Sequence, residues 1–171
     1  MMRKKVNVVV DIITMKIRKA ERKDIPTIEK LLFEVHALHA KGRGDIFKEG
    51  KKKYEREELL SLLEDEKNPI YVAVDEKEEV KGYLFLQFQI QEESNNTYRR
   101  KILYIDDLCV EEKERGKGVG TLLYTKAQEI AKKEGFDALT LHVYALNESA
   151  LAFYQKIGMK PLYTVMEERM K

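Results

Sequence analysis

An apolar run of β-type sequence, Ile102 to Val110, leads into the glycine-rich stretch Arg115-Gly116-Lys117-Gly118-Val119-Gly120. An amphipathic helical pattern then places Val119, Leu122, Leu123, Ile130 and Ala131 on one face. Strand, glycine turn and helix in that order restrict the chain to a small set of α/β folds, in which the helix packs back on the strand that precedes it. The turn also constrains chemistry. Glycines let a ligand approach the backbone closely, and the first amides of the helix have no intrahelical partner. Those amides, the positive end of the helix dipole and two cationic side chains form a cradle for phosphate.

The remaining sequence alternates in the same way. Ile17 to Ala20 reads as a strand, and Asp24 with Pro26 opens a helix whose stripe is Ile28, Leu31, Leu32 and Val35. His36 to Gly50 reads as irregular, and Tyr54 to Leu63 as a second helix. Ile70 to Val74 and Val80 to Ile90 read as strands. Leu84, Leu86, Phe88 and Ile90 share one face of the longer strand, with Tyr83 and Phe85 on the other. Ser94-Asn95-Asn96 supplies a hairpin turn. Ala138 to Val143 is a further strand, Asn147 opens a helix that Gly158 closes, and Met159 to Met170 is expected to form a last strand pair. Hairpins between several strands predict a single α/β domain with a mixed, mostly antiparallel central sheet flanked by helices.

Bulk properties narrow the function classes. At 171 residues the chain is long enough for one domain with a substantial core. With 32 basic and 30 acidic residues the net charge is only +2, which argues against a nucleic-acid partner held by bulk electrostatics. The single cysteine excludes an internal disulfide and suits a reducing cytoplasm. No apolar run approaches the ~20 residues of a membrane span. Residues 1–14 combine a charged start with a short apolar run that Asn7 and Asp11 interrupt. They read as an N-terminal extension, a tail or an extra strand, ahead of a domain at residues 15–171.

Three ligand classes use glycine turns at helix starts. A P-loop needs a Lys-Ser or Lys-Thr pair after the glycines, and none is present. A dinucleotide site needs Gly-x-Gly-x-x-Gly near the first strand and a carboxylate about twenty residues on; here the motif is late and the carboxylate is missing. The third class fits. Arg115-x-x-Gly118-x-Gly120 resembles the Gln/Arg-x-x-Gly-x-Gly/Ala signature of the GNAT N-acetyltransferase superfamily, and Asn147, Ala150, Phe153, Tyr154 and Gly158 resemble the Asn-x-x-Ala-x-x-Phe-Tyr-x-x-x-Gly segment of its later helix. The resemblance extends over roughly residues 15–171.

That resemblance implies a GNAT fold and an acetyl-CoA-dependent transfer to a primary amine, by direct attack in a ternary complex. Acetyl-CoA would be held at Arg115, Gly116, Lys117, Gly118, Val119, Gly120 and Thr121 through its pyrophosphate. Its pantetheine arm would run along the backbone of Leu108, Cys109 and Val110, with Asn147 and Tyr154 touching it from the later helix. Tyr154 would act as acid toward the leaving thiolate. Of the adjacent carboxylates Asp106 and Asp107, which strand alternation puts on opposite faces, Asp106 is favoured as the base that takes the amine proton. A water relay and Asp107 remain open alternatives. The acceptor is a small-molecule or protein amine, with a peptide α-amine as the nearest alternative substrate. A non-catalytic acyl-CoA-binding regulator is the alternative from outside enzymology, and a homodimer is compatible with either. No nucleic-acid or membrane partner is implied.

Several residues invite other readings. His36 and His39 lack the further ligands of a metal centre, so no metal is expected. Cys109, among apolar neighbours, reads as a buried hydrophobe, and His142, also on a strand, reads as having no functional role. Asp45 and Phe47, in the glycine-containing segment Gly42 to Lys48, are candidates for recognising a cationic amine by charge and apolar contact.

Overall fold

The computed structural model describes residues 14–170. The N-terminal extension therefore lies outside the described residues apart from Thr14. The elements are β1 (Lys16–Lys19), α1 (Ile25–Gly42), α2 (Arg56–Leu62), β2 (Ile70–Val74), β3 (Val80–Gln91), β4 (Arg100–Val110), α3 (Val119–Lys133), β5 (Ala138–Leu141) and α4 (Glu148–Lys156), with short 3-10 turns at Arg22–Asp24 and Glu112–Glu114. The five strands lie in the order β1-β2-β3-β4-β5. Pairing is antiparallel except between β4 and β5, which the α3 crossover joins in parallel.

The period-2 pattern of β3 separates two cores. Tyr83 and Phe85 face α1 and α2, where they meet Ile28, Leu31, Leu32 and Leu59. Leu84 and Leu86 face α3, where they meet Leu123, Tyr124 and Ala127. Gly82 sits where β3 passes closest to β4: a Cβ there would lie 2.7 Å from the Cys109 carbonyl oxygen. Asp24 precedes α1 without capping it. Its buried carboxylate takes a fork from Arg18, with Nη1 at 2.7 Å and Nη2 at 3.0 Å, and accepts from the Glu21 amide. Ion pairing has displaced the expected cap.

Two departures from the sequence reading matter for the site. The helix expected to end near Val35 continues to Gly42, so His36 and His39 lie on it. Met159 to Met170 forms no strand. β5 is only four residues long, and the segment is fastened by side chains instead. Glu167 pairs with Arg43 at 2.7 Å, Arg169 with Asp45 at 3.0 Å, and the Tyr163 hydroxyl bonds His142 at 2.9 Å. Leu162, Val165, Met166 and Met170 are left exposed. No helix among the described residues is long and apolar enough to cross a membrane.

Candidate active site

The glycine turn has the form its sequence demands. Gly118 is the N-cap of α3 at φ 94°, in the left-handed region that favours glycine. Among the described residues, the amides of Gly118, Val119, Gly120 and Thr121 make no hydrogen bond. They form one concave row of donors at the start of a long helix. Gly120 allows α4 to pack against this turn, since a Cβ there would meet the Phe153 ring at 3.3 Å. Both cations are parked on local partners. Arg115 Nε donates to the Val110 carbonyl at 3.2 Å, and Lys117 Nζ pairs with Glu114 at 3.0 Å.

Beside the turn, β4 has one unpaired stretch of edge. Its pairing with β5 runs from Ile102↔Ala138 to Ile105↔Leu141 and stops there. Its pairing with β3 continues to Gly82↔Val110, after which the Glu111 amide donates to the Lys81 carbonyl. By alternation, Leu108 and Val110 direct their peptide groups away from β3, toward the stretch where no strand follows among the described residues. An extended ligand made of amides finds a ready template there. Tyr154 approaches from α4, which Asn147 caps by accepting from the Ala150 amide at 3.2 Å. Burial, and then the Asp107 charge, push the Tyr154 phenol up, so it stays protonated at neutral pH.

The carboxylates are arranged differently from the expectation. Phe85 pairs with Asp107, but Leu86 pairs with Ile105, so Asp106 is the extra residue of a β-bulge. The bulge resets the alternation and turns both acids toward the α1–α2 side, not to opposite faces. Asp106 accepts from the Tyr54 hydroxyl at 2.6 Å and pairs with Lys53 Nζ at 2.8 Å, leaving its side chain 8% exposed. Tyr54 is held by stacking on Phe85, with centroids 5.5 Å apart and rings 3° from parallel. Asp107 shares the face of its cross-strand partner Phe85. It is partly exposed. Burial pushes its pKa up to about 6; the Lys53 cation opposes that rise and the Asp106 charge adds to it. Close by, the Tyr83 hydroxyl is fully buried and has no hydrogen-bond partner among the described residues.

Residues 34–159 match the model of the acetyltransferase (GNAT) family. The chain belongs to the GNAT acetyltransferase family. A crystallised mutant of the BH1408 protein from Bacillus halodurans superposes with a TM-score of 0.88 and 33% identity, covering 91% of this chain and 99% of that one. N-alpha-acetyltransferase 50 of Danio rerio is 38% identical over 71 residues, 41% of this chain and 42% of its own length. Peptidyl-lysine N-acetyltransferase YjaB of Escherichia coli is 32% identical over 92 residues, 54% of this chain and 50% of its own length. The chain thus spans about half the length of these curated relatives or less.

Within this GNAT domain the remaining candidates separate cleanly. Cys109 is 4% exposed and its thiol is pushed up to about 12, chiefly by burial, which leaves no thiolate for nucleophilic chemistry. Asp45 and Phe47 are not available to an amine in the expected way. Asp45 is bound by Arg43 and Arg169, and Phe47 packs among His36, His39 and Tyr144 with centroid separations of 5.7, 5.2 and 5.2 Å. Sequence reasoning also missed residues that the fold delivers. Lys53 and Tyr54 reach Asp106 from 53 and 52 residues away in the chain, and His142 bridges Tyr104 at 3.0 Å and Tyr163 at 2.9 Å. Nothing local marks these residues. The one available signal was the apolar-aromatic pattern of β3, which puts Tyr83 and Phe85 on the acids' side.

Proposed function

We propose that this GNAT-family chain transfers an acetyl group from acetyl-CoA to a primary amine by direct attack in a ternary complex. The observation that carries this reading is the unpaired β4 edge at Leu108 to Val110. It lies between a turn of free amides and a bulge bearing two carboxylates. The amides of Gly116 and of Gly118 to Thr121 would take the pyrophosphate, with the side chains of Arg115 and Lys117 leaving Val110 and Glu114 to join them. The pantetheine arm would pair with Leu108 and Val110 as an added strand, near Asn147 and Tyr154.

Asp107 is the base we favour over Asp106. Burial raises its pKa to about 6 and no ion pair holds its side chain among the described residues, whereas Asp106 is committed to Lys53 and Tyr54. As the amine attacks, a backbone amide of the Leu108–Val110 edge would stabilise the oxyanion, and Tyr154 would donate toward the departing sulfur. Relatives are named for peptidyl lysine and for small amines alike, so the acceptor test spans both classes. Calorimetry with acetyl-CoA, followed by thiol release against peptide and small amines, tests both parts. Binding without release to any amine would support a regulatory acyl-CoA-binding module instead.

A further inference from the structure

The connector between α1 and α2 is rich in lysine: Lys48, Lys51, Lys52 and Lys53. These amines are not equivalent. Lys52 is held by Glu29 at 2.9 Å and Glu55 at 3.3 Å, and Lys51 is exposed. Lys53 turns inward. Its Nζ lies 2.8 Å from the Asp106 carboxylate, 2.9 Å from the Asp106 carbonyl oxygen and 5.5 Å from the centre of the Tyr54 ring. A carboxylate, a carbonyl and an aromatic face are the groups that recognise an ammonium ion. The enzyme's own lysine thus occupies the acid bulge as an acceptor amine would. Its side chain is 41% exposed and carried on irregular backbone, so it can be exchanged for solvent or for a substrate.

We propose that Lys53 is a self-acetylation site, modified within one molecule by the acetyl-CoA bound to that molecule. This rests on the acetyl-transfer reading above. The ammonium gives one proton to a bulge carboxylate, and the free Nζ attacks the thioester carbonyl. The N–C bond forms, the C–S bond breaks, and sulfur leaves with the electron pair. Sulfur takes the proton that Tyr154 donates, the carboxylate's proton replaces it through solvent, and the second nitrogen proton goes to solvent, leaving an N-acetyl lysine and CoA. Tethering the amine beside its base replaces a bimolecular encounter with a local one, which favours Lys53 over any lysine that must find the cleft from solution. The product has lost its charge and its hold on Asp106, so the modification would empty the bulge for external amines.

The test incubates the full chain with acetyl-CoA and no acceptor, followed by intact mass and peptide mapping. The expected result is one acetyl group per chain, on Lys53, arriving at least about tenfold faster than on Lys51. Its first-order rate should be independent of protein concentration. It should vanish in Lys53→Arg, persist in Lys51→Arg and be absent from heat-denatured protein. An enzyme that acetylates external amines but leaves Lys53 free overturns the proposal, as does acetylation spread evenly over the connector. A rate that climbs with protein concentration would overturn the intramolecular route. Absence of both acetyl-CoA binding and turnover would instead overturn the acetyl-transfer reading itself.

Discussion

The two long edges of β4 carry the same backbone chemistry and have opposite fates. Toward β3, the ladder runs from Gln91↔Arg100 to Gly82↔Val110, interrupted only by the bulge. Toward β5 it closes four residues and then stops. The β3 side is backed by two buried cores, and what happens there is folding. The β5 side past Ile105 leaves peptide groups without a strand among the described residues, next to free helix amides and a protonated phenol, and the proposed acetyl-CoA contacts fall there. One strand is therefore scaffold along one edge and, in the proposed reading, template along the other. Changes on the two sides should register in different measurements.

The largest effect is expected from Gly118→Glu, which adds a side chain to a left-handed residue and a negative charge to the phosphate cradle. Acetyl-CoA affinity by calorimetry should fall below detection while circular dichroism stays native. Retained affinity would separate the turn from the ligand.

Asp107→Asn comes next. It should lower kcat/KM by about 10²–10⁴-fold, the usual worth of a general base. Wild-type kcat/KM should rise as the pH passes about 6, where the carboxylate ionises, and the variant should lose that limb. Stability runs the other way. A carboxyl raised from 3.8 to about 6 in the fold makes its ionised form costly, a penalty that grows between those two values and persists above them. The Asn variant should therefore unfold no earlier than wild type at pH 8.

Leu86→Ala, on the closed side, should cost about 2–5 kcal/mol in denaturant titrations without changing KM for acetyl-CoA. An altered KM would mean that the two edges are not separable. Tyr154→Phe should reduce kcat by about tenfold with unchanged acetyl-CoA affinity, as expected for a group that acts as the sulfur leaves. The smallest effect belongs to Tyr98→Ala. That ring is 86% exposed on the β3–β4 hairpin, and its loss should move stability by less than about 0.5 kcal/mol and activity not at all.

This contrast also explains what was legible in the sequence. The turn at Arg115 to Gly120 and the Asn147 cap depend on residues a few positions apart, and both have the expected form. The two faces of β3 follow from simple alternation, and the structure has them so. The acids at 106 and 107 escaped that rule, because a bulge exists only relative to the partner strand and a single strand's pattern does not encode it. The unpaired edge past Ile105 is likewise a property of where β5 ends. Lys53 and Tyr54 reach the site through tertiary contacts that span 53 and 52 residues. The last segment failed as a strand pair because its charged residues found partners around Arg43 and Asp45.

The burial of Cys109 has a practical sequel. It is the chain's only cysteine, and its sulfur is protonated and shielded on the sheet. Oxidants act through exposed thiolate, so this sulfur should be slow to form sulfenic acid or a mixed disulfide with the CoA thiol that the reaction would release. Peroxide should then leave turnover largely intact, without any need for a reductant to keep the enzyme in service.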